Sequence, residues 1–73
     1  MAKTEVISEV TGTVWKVEKS EGDKVSEGDL IMILESMKME IPVEATVSGT
    51  LKTIHVKPED SVEEDEVLCL IES

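Results

Sequence analysis

The stretch ILESMKMEIPVEA, residues 33–45, sets a primary amine, Lys38, between Met37 and Met39 in a chain otherwise dense with carboxylates. An amine serves as a Schiff-base nucleophile or general base when burial or nearby cations depress its pKa. Neither condition is met here, because Glu35 and Glu40 lie close by and the stretch reads as a hairpin tip. No ligand cluster for a metal and no glycine-rich phosphate loop accompany it. The remaining chemistry is that of an exposed nucleophile, held out on rigid strands as a target for covalent modification. An isolated MKM is better read as a solvated turn lysine beside core methionines, so the surrounding chain must decide.

Other reactive residues carry less. Cys69 is the single cysteine, which excludes an internal disulfide and a cysteine-based zinc site. It reads as a small core residue. His55 has no nucleophile beside it and falls at a solvent-like position. Trp15, the only aromatic residue, is expected half-exposed on a strand. Pro42 points to an edge strand or to a site that gives no ladder bond, since proline has no N–H to give. The acidic run 63–66 reads as a solvated turn.

The elements that must position Lys38 are strands. Val6–Val10, Val14–Lys19, Leu30–Glu35, Met39–Ala45, Leu51–Lys57 and Val67–Glu72 are short runs rich in Val, Ile and Leu. Turn-forming clusters separate them at Ser20–Asp23, Ser26–Asp29, Pro58–Asp60 and Glu63–Asp65. No segment sustains a helical period. Leu30–Glu35 and Met39–Ala45 flank a tight turn with Met37 and Lys38 at its centre. Lacking glycine, that turn is expected to hold at least one non-glycine residue at positive φ.

The chain also repeats itself. Residues 11–36 align without a gap on residues 48–73, at an offset of 37, matching Gly12 with Gly49, Asp23 with Asp60, and Glu35-Ser36 with Glu72-Ser73. Each half is too small to bury a core alone. We therefore expect one domain, 1–73, all-β, built as a flattened barrel or sandwich of two four-stranded antiparallel sheets. The halves are expected to pair face to face about a pseudo-two-fold axis. Lys38 then falls at the connection between halves, away from the termini. The second repeat has Glu59 and Asp65 where the first has Gly22 and Gly28, so the turn near Glu59 is expected to adopt a different conformation.

The formal net charge of −10, from 17 acidic and 7 basic residues, argues against nucleic acid as a partner. MAKTEV lacks the apolar run of a secretory signal, and no stretch reaches membrane-spanning length, so a cytoplasmic monomer without a membrane role is expected.

Together, ESMKMEIPVEA, the lead-in EGDKVSEGDLIMILES and the following SGTL resemble the biotinyl domains of biotin carboxyl carriers. The likeness covers nearly the whole chain and includes the duplication. It implies a barrel-sandwich hybrid fold, biotin attached covalently to Lys38, and Met37 and Met39 as flanking recognition residues. It implies a non-catalytic carrier with three partners: a biotin protein ligase, a biotin carboxylase that carboxylates the cofactor, and a carboxyltransferase that passes the carboxyl on. An acetyl-CoA carboxylase type, in fatty acid biosynthesis, or a related biotin-dependent carboxylase fits this reading. The stretch between Lys19 and Asp29 is too short for the inserted thumb of some acetyl-CoA carboxylase carriers, so the chain is similar to the thumbless type. The alternatives are a lipoyl-bearing acyl carrier of the same fold and an unmodified interaction module. The first is disfavoured because lipoyl domains usually place an acidic residue before the lysine and a small one after it. The second is disfavoured by the intact lysine tip.

Overall fold

The computed structural model describes residues 2–73. Among the described residues, eight strands run in the order β1 (Lys3–Ile7), β2 (Gly12–Val17), β3 (Lys24–Val25), β4 (Leu30–Ser36), β5 (Met39–Glu44), β6 (Gly49–Ile54), β7 (Ser61–Val62) and β8 (Val67–Glu72). They form two four-stranded antiparallel sheets, β1-β8-β6-β3 and β5-β4-β2-β7. The all-β expectation holds.

Several strand expectations need correction: β2 is Gly12–Val17 where Val14–Lys19 is expected, and β6 is Gly49–Ile54 where Leu51–Lys57 is expected. The first strand is Lys3–Ile7, three residues earlier than the Val6–Val10 run at its start. Val10 instead lies in the loop beyond it, packed against the core. The two-residue strands β3 and β7 have no sequence signal of their own, because a ladder that short has no room for alternation.

The halves also combine differently from a face-to-face pairing of one half on the other. β2 and β4 of the first half make the centre of one sheet, and β6 and β8 of the second half make the centre of the other. The outer strands are exchanged: β1 and β3 flank β8 and β6, while β5 and β7 flank β4 and β2. A two-stranded centre left alone exposes unpaired backbone groups on both edges. Exchange satisfies them and closes one core from both halves.

The pseudo-two-fold extends to individual hydrogen bonds. The Gly22 amide donates to the Leu51 carbonyl at 2.7 Å, and the equivalent Glu59 amide donates to Val14 at 2.8 Å. The Gly28 amide donates to Ala45 and the Asp65 amide to Ser8, both at 2.8 Å. Asp23 and Asp60 each accept from the amide three residues back, those of Ser20 and Lys57, at 2.9 and 3.0 Å. These side-chain bonds brace each turn around its left-handed residue. Contrary to expectation, the turn at Glu59 keeps the form of its partner, with φ of 78° against 92° at Gly22. The matching bonds on either side hold the glutamate where glycine would rest more easily.

The core consists of Val6, Val14, Val25, Ile31, Met32, Leu34, Val43, Ala45, Leu51, Val56, Val62, Leu68, Cys69 and Ile71. Ser8 is also fully buried, and its hydroxyl donates to the Val10 carbonyl at 2.6 Å. Cys69 sits at 0% exposure, as a core residue should. Trp15 occupies a register shift in β2, between Val14 and Lys16. The bulge interrupts the inward-outward alternation, and Trp15 stands 45% exposed with the Lys16 ammonium 4.8 Å from its ring. Pro42 lies on β5, an edge strand, as its missing N–H requires.

Candidate functional site: the Lys38 hairpin

β4 and β5 form a hairpin in which Ser36 pairs with Met39, Glu35 with Glu40, Leu34 with Ile41 and Ile33 with Pro42. Leu34 at 0% exposure anchors the strand into the core. The ladder therefore reaches from the interior to the two residues that flank the turn. Met37 and Lys38 close it as a two-residue turn, with φ of 53° and 66°. Both central residues are left-handed, the requirement of a type I′ turn, whose twist matches that of its strands. The sequence predicts at least one residue at positive φ; the structure has two.

Left-handed backbone costs a non-glycine residue on the order of 1–3 kcal/mol. Asn-Gly would relieve most of that, so the Met-Lys tip is held by its surroundings. Lys38 is exposed, Met37 is 90% exposed and Met39 61%. The methionines are thus surface residues beside the amine and not core fillers. Glu35 and Glu40 face each other across the ladder, both exposed. Like charges in register are mildly unfavourable, and they leave an acidic base beneath the amine.

Two residues that support the hairpin have no distinct signal in the sequence. A Cβ built on Gly12 would collide with the Glu35 carbonyl oxygen, so only glycine lets β2 approach the hairpin's root that closely. Thr11, beside it, accepts a hydrogen bond from the Ser36 hydroxyl on its carbonyl at 2.9 Å. A hint of the glycine's role lies in the repeat: Gly49, its equivalent, meets the Glu72 carbonyl in the same way. His55 and the acidic residues 63–66 are exposed and stand apart from the β4–β5 ladder. The groove of about 350 Å³ between edge strands β1 and β5, lined by Glu5, Ile7, Ile41, Pro42 and Glu44 among others, does not include the hairpin tip.

The fold is a barrel-sandwich of exchanged strands with an exposed lysine on a strained turn. The profile of the family described as "Biotin-requiring enzyme" matches residues 2–71, and the chain belongs to that family, whose cofactor is biotin. It is 45% identical over 60 residues to a "Biotin/lipoyl attachment protein" of Bacillus subtilis, covering 82% of each. It is 43% identical over 67 residues to the pyruvate carboxylase of the same organism, covering 92% of this chain and 6% of that enzyme. Among solved structures, the urea carboxylase of Kluyveromyces lactis contains a segment that superposes with a TM-score of 0.92 at 38% identity, covering 99% of this chain and 6% of that one. The chain thus spans a small fraction of the large carboxylases and most of the small attachment protein.

Proposed function

We propose that this chain is a biotin carboxyl carrier modified at Lys38. The observation that carries the reading is the tip itself: an exposed lysine and two exposed methionines on a turn whose central residues are both left-handed. The residues fit the cofactor. Nothing in the hairpin ladder buries the amine, and a covalent adduct would extend into open solvent. Lys38 Nζ would hold the cofactor through an amide to its carboxyl carbon, made by a biotin protein ligase. Forming that amide from the activated carboxyl would expel AMP, release two protons from the ammonium and remove the side chain's positive charge. Bound biotin supplies a ring nitrogen that carries a carboxyl group.

The chain's own contribution is presentation. The β4–β5 ladder keeps the attachment point fixed while the long side chain swings. Docking to a biotin carboxylase and then to a carboxyltransferase makes each delivery effectively intramolecular. Such docking works best weak and fast, and a net charge of −10 favours basic partner surfaces. The carrier functions as a cytoplasmic monomer, and the acceptor is an acyl-CoA or a 2-oxo acid.

The test is loading. Incubated with a biotin ligase, biotin and ATP, the wild-type chain becomes reactive to streptavidin, and intact-mass and peptide spectra locate one biotinyl group on Lys38. Lys38→Arg remains folded and blank. A lipoyl adduct on the protein from its own cells, or a biotinyl group on another lysine, would overturn the reading.

A further inference from the structure

We infer that the outer face of the β5-β4-β2-β7 sheet, centred on Trp15, is the surface by which the carrier docks on its biotin carboxylase. The partner offers an apolar recess for the indole and a cationic patch beside it. This rests on Lys38 being the attachment site. The duplication supplies an internal control, because each position on this face has an equivalent on the other sheet.

Leu34 points inward at 0% exposure, so Ile33 and Glu35 stand on the outer face. Lys16, Ile33 and Pro42 pair in a row across β2, β4 and β5, and Trp15 bulges out beside them. The equivalent row on the other sheet is Thr53, Leu70 and Glu5, with Lys52 in the equivalent bulge. Nearer the turn, the row Thr13, Glu35 and Glu40 matches Thr50, Glu72 and Lys3. The second sheet thus sets a glutamate opposite a lysine, an ordinary solvated arrangement. The first has tryptophan in place of lysine, proline in place of glutamate, and Glu40 opposite Glu35. A scaffold that folds with Lys52 in one bulge has no need of an indole in the other. Trp15 is 45% exposed even with the Lys16 ammonium 4.8 Å from its ring, and Pro42 is exposed too. Tryptophan is among the residues that most often dominate the energy of an interface once a partner buries them. The Glu35–Glu40 pair is unfavourable alone and gains when a cation is brought opposite. A second copy of this chain, with a net charge of −10, brings more carboxylates instead.

Position selects the occupant. Strands advance about 3.3 Å per residue, so the Ile33–Pro42 pair lies roughly 10 Å from the Ser36–Met39 pair that borders the turn. An enzyme that admits the Lys38 tether therefore meets this face. A ligase reacts at Lys38 Nζ and finds its target at the tip. The carboxylase reacts at the far end of a tether that every biotinylated lysine shares, so it distinguishes this carrier only by touching the protein surface.

Trp15→Lys and Pro42→Glu each install the residue that the equivalent position already holds, Lys52 or Glu5, so both variants fold and take biotin as wild type does. With ATP, bicarbonate and biotin carboxylase from the chain's own cells, the KM for loaded carrier is expected to rise about 10-fold in Trp15→Lys and about 3-fold in Pro42→Glu, with kcat near wild type. Lys52→Trp leaves KM unchanged. Binding is read separately on unmodified, isotope-labelled chain, whose single indole N–H resonance is expected to shift when carboxylase is added. An unmoved indole resonance, or an unchanged KM in Trp15→Lys, overturns the inference. So does a defect confined to the carboxyltransferase step, or a wild-type dimer that Trp15→Lys dissolves. Failure of the wild-type chain to take biotin at Lys38 overturns the underlying reading, and it shows before any variant is made.

Discussion

Met37 and Lys38 carry a backbone conformation that their side chains disfavour, and this sets a measurable conflict between stability and presentation. Met37→Gly is expected to remove most of the strain at φ 53° and to raise stability by about 0.5–1 kcal/mol after glycine's greater unfolded freedom is counted. For a domain this small that is a rise of several degrees in Tm, and loading by the ligase should slow in the same variant. Cys69 offers a second test. Burial pushes its thiol from 9.0 up to about 11. The unfolded chain ionises near the ordinary value while the folded one stays protonated, so the stabilisation is whole below pH 9 and fades as pH rises to 11. The loss is roughly 2–3 kcal/mol at the upper end. Denaturation followed by Trp15 fluorescence, comparing wild type with Cys69→Ala across that range, isolates the contribution of the thiol. The gap between the two proteins should narrow toward the upper end of that range.

Among the elements, turns and close approaches matter more than strand lengths. Gly12 and Gly49 have the same environment, each against the carbonyl at the end of a central strand. Gly12→Ala and Gly49→Ala should each destabilise by about 2 kcal/mol or more, since the obstacle is backbone and cannot swing aside. Only Gly12→Ala should also disturb loading, because only it sits under the lysine hairpin. The left-handed turns give a complementary pair. Glu59→Gly is expected to stabilise by up to about 1 kcal/mol, and Gly22→Ala to destabilise by about the same amount, as read from chemical denaturation midpoints. Side-chain type alone predicts that a glutamate would reshape its turn. The turn holds because its flanking bonds, Glu59 to Val14 and Val14 to Asp60, are fixed by the other half of the molecule.

For the molecule as a whole, exchanged strands make the two halves interdependent. Each sheet takes its centre from one half and its edges from the other. Peptides 1–36 and 37–73 should therefore show no β signal apart in circular dichroism, whereas the intact chain unfolds in a single transition. The sequence alone already held much of this protein: the all-β class, the duplication at an offset of 37 residues, the edge position of Pro42, and the lysine tip with its two methionines. Those features are written in side-chain type and spacing, which a strand's two-residue period and a turn's backbone demands translate directly into place. The exchange of edge strands, the two-residue strands β3 and β7, the retained turn at Glu59 and the Ser36–Thr11 bond were settled only by the folded structure. Each depends on backbone groups far apart along the chain, and every residue's N–H and C=O look alike until folding decides which of them meet.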